Sequence, residues 1–189
     1  MVDYLWILVV LPLVGAAINL FLGKRLGEPL AGWIAFVVVA IDFIIGMAAG
    51  VGFITGNTVP ETLYLFSWIP GLGVDAAILW DPLAFLLVFI VTGVGSLIHL
   101  YSIGYMHGDE RYPRFFAYLN LFIASMLILV LGANYAIMFI GWELVGLSSY
   151  LLISFWFTKP AAAAAGKKAF IVNRIGDWGF IVALMIIFA

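Results

Sequence analysis

Cysteine is absent from these 189 residues, and charge is nearly so: eight Lys or Arg and ten Asp or Glu amount to 10% of the chain, with only two histidines. Without thiols there is no disulfide framework, no cysteine nucleophile and no thiolate cage for zinc or an iron–sulfur cluster. His99 and His107 stand apart in sequence, and neither belongs to a metal-ligand spacing. Haem held by a lone histidine would need a second axial group. No Gly-rich phosphate loop is present, and the few basic residues form no patch for nucleic acid. Any redox chemistry therefore belongs to other chains.

What is abundant is apolar. Hydrophobic residues make up 66% of the chain, whereas a soluble domain is roughly 45–50% apolar and about 25% charged. The solvent of this chain is a bilayer. A spanning helix needs about 20 apolar residues, because the hydrocarbon core is roughly 30 Å thick and each helical residue rises about 1.5 Å. Six segments qualify: Tyr4 to Leu22, Leu30 to Ile54, Leu83 to Tyr105, Phe115 to Leu131, Tyr135 to Phe157 and Phe170 to Ala189. The first has no Lys or Arg before it and a longer apolar run than a signal peptide, so it is expected to remain as a helix. The fold class is an all-α polytopic membrane protein, a single bundle of six transmembrane helices across residues 1–189.

Basic residues concentrate in cytoplasmic loops. Lys24 and Arg25 fall between the first two segments, Arg111 and Arg114 between the third and fourth, and Lys159, Lys167 and Lys168 between the fifth and sixth. These are alternate loops, so they share one side, and the opposite connections, Thr55 to Pro82 and "GANY", contain no Lys or Arg. The N-terminus is therefore expected outside. The charged loop "MHGDERYPR" reads as an inner anchor or docking surface. In the long outer connection, Tyr64, Phe66 and Trp68 alternate before "PGLG", which predicts an extracytoplasmic β-hairpin turned at Pro70 to Gly73, with an irregular loop as the alternative.

Ionisable residues inside the spans are expensive to bury and are functional candidates by default. They are Asp42, His99, Glu143, Arg174 and Asp177. Glu143, in "GWELVG", lies about nine residues into the fifth segment, about 14 Å from its outer end. From there it cannot snorkel, so it needs a partner, a water-filled cavity or its proton. Gly141, Gly146, Ser148 and Ser149 flank it, and small residues let helices approach, so this helix is expected to be internal to the bundle. The alternative is a static hydrogen-bonding group that fastens helices together. In "GKKAFIVNRIGDWGF", Arg174 and Asp177 are three apart and share a helical face, with Lys167 two turns earlier. That stripe reads either as a polar path from the inside or as a snorkelling anchor with one intrahelical ion pair; Lys168 alone reads as a solvated flank. His99 could relay protons or bond at a helix interface. Asp42 requires a partner that no basic residue in the spans obviously supplies.

The stretches "YMHGDERYPRFFAYLNLFIASML", "FIGWELVGLSSYLLISFW" and "KKAFIVNRIGDWGF" resemble, in order, signature segments of the largest antiporter-like subunit of respiratory complex I, the proton-pumping NADH:quinone oxidoreductase. The resemblance runs from the first segment to the last residue. It implies that Glu143 is central to proton transfer and pairs with a lysine on a later, broken helix. It places Arg174 and Asp177 near the boundary with the adjacent antiporter-like subunit. Lys168 and His99 complete the proton-transfer candidates, and Asp42 receives no role. The resemblance also implies a bacterial cytoplasmic (inner) membrane and other membrane-arm subunits as partners. FMN, iron–sulfur clusters and quinone are expected in partner subunits, with no cofactor in this chain. The family's broken helix, its central lysine and its lateral helix follow beyond the point matched by residue 189, so the chain is expected to be the N-terminal part of such a subunit, with the C-terminal part as a partner. Two other readings stay open: the large subunit of a multisubunit cation/proton antiporter, and a structural or assembly element of the membrane arm.

Overall fold

The computed structural model describes residues 4–188. In chain order the elements are α1 (Ile7–Phe21), α2 (Gly23–Leu26), α3 (Leu30–Ile54), β1 (Glu61–Ile69), β2 (Val74–Trp80), α4 (Pro82–Tyr105), α5 (Tyr112–Leu131), α6 (Tyr135–Ile153) and α7 (Pro160–Phe188). Five helices, α3 to α7, have the length and hydropathy to cross a membrane. The first predicted span is shorter than expected, because α1 has 15 residues, only about 22 Å of helix. It turns at Leu22 into the four-residue α2.

Helix starts follow local chemistry. Asp81 caps α4, its carboxylate accepting from the Ala84 amide at 2.7 Å, with Pro82 in the first turn. Asn134 caps α6, its side-chain oxygen accepting from the Ala136 and Ile137 amides at 3.1 and 3.0 Å. Such caps satisfy backbone donors that a helix leaves free and contribute about 1 kcal/mol each. The sixth predicted span begins ten residues too late: α7 starts at Pro160 and runs 29 residues, about 44 Å. Lys167 and Lys168, expected in a loop, lie within that helix.

The predicted hairpin is present. β1 and β2 pair antiparallel from Glu61 opposite Trp80 to Ile69 opposite Val74, with irregular register on both sides of Phe66, and Pro70–Leu72 form a 3₁₀ turn between them. Tyr64, Phe66 and Trp68 face outward, while Trp80 is fully buried against Phe53 and Phe85. The hairpin is fastened to the start of α6, where the Asn134 amide donates to the Asp75 carbonyl at 2.7 Å and Ala133 donates to Ala77 at 3.1 Å.

The other three connections meet at the opposite end. Gly108 donates to the Glu28 carboxylate at 3.1 Å, Trp156 to Asp109 at 2.9 Å, and Arg111 to the Phe155 carbonyl at 3.5 Å. The loops carrying Lys24, Arg111 and Lys159 therefore share one side, called the basic end below.

Helices α1, α3, α4 and α5 form a tight bundle, with one apolar core near the hairpin around Leu8, Val39, Val88 and Leu127 and another at the basic end around Ala35, Tyr112 and Phe116. In lipid such packing rests on close contact rather than on exclusion of water. Gly50 supplies one such contact, because a Cβ there would run into the Phe85 ring. Among the described residues helix α6 packs on α5, α7 and the hairpin, beside the α1–α3–α4–α5 bundle, and its Trp142 and Leu147 side chains are exposed.

Gly50→Val should lower stability by about 1–3 kcal/mol through overpacking, whereas Gly176→Ala, where a Cβ meets open space, should stay within about 0.5 kcal/mol. Reversible unfolding in mixed detergent micelles measures both.

Candidate functional site

Helices α6 and α7 run antiparallel, joined at the basic end by residues 154–159. Antiparallel packing brings residue 143, midway along α6, beside residue 174, midway along α7. The Glu143 carboxylate accepts from the Arg174 guanidinium in an ion pair that crosses the helix interface. The same Nη1 stands 3.7 Å from Asp177 Oδ2, one turn on. Trp142, next to Glu143, donates from its indole to Asp177 Oδ1 at 2.8 Å. The Arg174 guanidinium also sits 4.7 Å above the Phe170 ring, and Phe180 packs edge-on against Phe139 and Trp142. Four side chains from two helices thus close a polar cluster inside an aromatic collar.

Asp177 is buried, whereas Glu143 and especially Arg174 are open on one side. Arginine stays charged in any protein environment, so Arg174 is a fixed cation between two carboxylates. With both ionised the cluster carries one net negative charge, and with one proton bound it is neutral. Sequence reasoning placed Arg174 and Asp177 on one face and identified Glu143 as a lone acid. It sought the partner of Glu143 on another stretch of chain, because helix spacing carries no information about which helices meet. Trp142 was passed over because its polar atom is one indole N–H.

The other candidates lie elsewhere. Lys167 and Lys168 are exposed on α7, and neither is paired among the described residues. His99 is fully buried in the seam of α4 and α5, 2.8 Å from the Gly95 carbonyl at Nδ1 and 2.8 Å from Asn120 Oδ1 at Nε2. That is the interface reading of His99, with Asn120 as a partner that a search for ionisable residues cannot find. Asp42 is fully buried, and neither of its oxygens has a hydrogen-bond partner among the described residues. Between α5 and α6 a buried hydroxyl pair, Ser148 to Ser125 at 3.3 Å, lies in the interface. Among the described residues no group of His, Cys, Asp and Glu could hold a metal.

An apolar helical bundle with an acid–arginine–acid cluster between two helices long enough to cross a membrane is the architecture of an integral membrane protein. Residues 66–116 match the family model for the N-terminus of chain 5 of NADH-ubiquinone oxidoreductase (complex I). Residues 132–189 match the transmembrane model for NADH:quinone oxidoreductase and Mrp antiporters. The chain belongs to this family of antiporter-like subunits and corresponds to the N-terminal part of the complex I subunit L and chain 5 type.

It is 45% identical over 190 residues to NADH-quinone oxidoreductase subunit L of Mycobacterium tuberculosis, covering 98% of this chain and 30% of the relative. It is 40% identical over 182 residues to subunit L of Escherichia coli, covering 95% and 30%. The chain thus spans about 30% of the length of these relatives. Among solved structures, the Mrp complex from Dietzia superposes with TM-score 0.78 at 26% identity, over 97% of this chain and 19% of that one. The membrane-bound sulfane sulfur reductase of an archaeal respiratory complex superposes with TM-score 0.81 at 20% identity, over 95% and 36%, a likeness of fold.

Trp142→Phe removes one hydrogen bond to a buried carboxylate and should weaken α6–α7 packing by about 1.5–3 kcal/mol. Lys168→Gln should change stability by less than about 0.5 kcal/mol. Detergent unfolding followed by fluorescence of the remaining tryptophans reads both.

Proposed function

We propose that this chain is a membrane-arm subunit of a proton-translocating NADH:quinone oxidoreductase and that Glu143, held by Arg174, is a proton-transfer station within it. The observation that carries this reading is the Glu143–Arg174 ion pair between two long apolar helices. The names of the subunit L relatives support the assignment to that enzyme.

The mechanism is electrostatic. A cation beside a carboxylate favours its ionised form, and withdrawing the cation favours proton uptake. Arg174 is fixed on α7, so the variable cation in this proposal is an ammonium that approaches Glu143 from its open side, supplied by the rest of the subunit. Because linked equilibria are reciprocal, charge movements that bring up that ammonium also respond to protonation of Glu143. Quinone reduction in another part of the enzyme would drive the cycle, with FMN, iron–sulfur clusters and quinone in partner subunits.

Within the same proposal, α1 and the turn before it cross the bilayer as a sixth, short span. The basic end faces the cytoplasm, in line with the distribution of Lys and Arg, and the hairpin lies on the far side of a bacterial inner membrane. The open face of α6 and α7 packs against the rest of the subunit and the adjacent antiporter-like subunit. Among the described residues Lys168 and His99 have no contact with the cluster, so the role proposed for the cluster rests on Glu143, Arg174 and Asp177.

A second reading, the large subunit of a multisubunit cation/proton antiporter, is favoured by the likeness to the Mrp complex. Co-purification with flavin and iron–sulfur subunits supports the first reading, and cation-dependent proton exchange with no response to NADH supports the second.

Glu143→Gln in the assembled complex should leave assembly intact and slow proton translocation on the order of 100-fold. Dye-quenching in vesicles measures it, and full pumping by the variant would dismiss the role.

A further inference from the structure

Buried polar groups in folded proteins almost always have partners, and each exception calls for an explanation such as bound water. Trp80 Nε1 aside, every buried side-chain nitrogen or oxygen without a partner among the described residues belongs to Asn19, Asp42 or Asn120. These three side chains come from α1, α3 and α5. At the basic end a cavity of about 260 Å³ opens between the end of α1 and the start of α5, lined by Asn19, Lys24, Glu110, Arg111 and Arg114. One turn above Asn19 on α1 is Gly15, where a Cβ would strike the Asn120 amide nitrogen and crowd Val38 of α3 at 3.2 Å. The glycine therefore makes room for Asn120 at this level. Asn120 meets His99 Nε2 at 2.8 Å, and Asp42 stands one turn beyond Val38 on α3, further into the bundle.

We propose that Asn19, the Asn120–His99 pair and Asp42 line a narrow hydrated path from the cavity at the basic end into the middle of the α1–α3–α4–α5 bundle, with Asp42 as the proton-accepting group at its inner end. An isolated carboxylate in an apolar core is too expensive to keep dry and ionised. Water in the path solvates it and delivers a proton to one of its oxygens; the same file returns the proton to the mouth. The pair at mid-path suits such traffic. With Nδ1–H donating to the Gly95 carbonyl, a neutral ring accepts at Nε2 from the Asn120 amide, and a doubly protonated ring donates there to the Asn120 carbonyl. Amide rotation reconciles the two states, and which amide atom faces the ring is set by that choice. The titratable groups along the path are Asp42 on α3 and His99 on α4. The spans of α1 and α5 contribute the Asn19 and Asn120 amides there, and Lys24, Glu110, Arg111 and Arg114 stand at the mouth.

This path lies apart from Glu143 and stands independently of its role. These 189 residues contain no cysteine, so a thiol introduced among them reports on water through its own peptide. In the full-length subunit within its assembled complex, Asn19→Cys, Asp42→Cys and, as a dry control, Val39→Cys are treated with a small cationic methanethiosulfonate, and modified peptides are weighed. The first two variants should react from the basic-end side at least about tenfold faster than the third, and Glu143→Gln should leave those rates unchanged. In the unsubstituted complex, radiolytic footprinting should oxidise His99 while the equally buried Leu127 stays intact, a readout independent of any variant's assembly. Asp42→Asn should slow proton uptake from that side by on the order of tenfold or more, with Asp42→Glu recovering it. Thiols at 19 and 42 as unreactive as the one at 39, or an unoxidised His99, would overturn the path; full proton uptake in Asp42→Asn would overturn the role of Asp42.

Discussion

A charge placed among apolar helices has to be answered by another group, and in this chain the constraint falls on α6 and α7. Glu143 and Asp177 are answered by the one guanidinium of Arg174, and Asp177 by the Trp142 indole as well. The cluster also orders the fold locally: it sets the depth at which α7 lies along α6. Neutralising Glu143 leaves Arg174 with Asp177 as its counter-charge, whereas removing Arg174 leaves both carboxylates without their cation. In this cluster fold and proposed chemistry have the same origin, since the groups that join the two helices are also those to which the proposal gives proton transfer.

The bundle carries its polarity in two separate systems. The α6–α7 cluster is charged, rigidly partnered and open on one side, suited to a neighbouring cation. The α1–α3–α4–α5 core is nearly uncharged and carries unpartnered amides and one carboxyl, suited to water. Helix α5 stands between them, its Asn120 facing one system and its Ser125 hydroxyl paired with Ser148 of α6 toward the other.

Much of this was legible from residue type and period. The hairpin could be read because alternation at Tyr64, Phe66 and Trp68 is incompatible with a helix, and "PGLG" marks the reversal. Glu143 stood out as the single charge in a long apolar run, and the spacing of three between Arg174 and Asp177 placed them on one face. The start of α7 was hidden because "PAAAAAG" is only mildly apolar, so hydropathy overlooks it, yet proline at the first helical position followed by alanines is a strong helix start. The meeting of Glu143 with Arg174 was not legible, since it depends on how two helices are shifted against each other. Asn120 was invisible for another reason: it carries no charge, and only the packing at Gly15 and His99 reveals its place.

The most direct measurement of the central claim is a charge exchange across α6 and α7 in the assembled complex. Glu143→Arg alone and Arg174→Glu alone should each abolish stable assembly, scored by the yield of intact complex after purification, and the double exchange should restore most of it. A single charge reversal that assembles as well as the parent, or a double exchange no better than either single one, would contradict the claim that this ion pair joins the two helices.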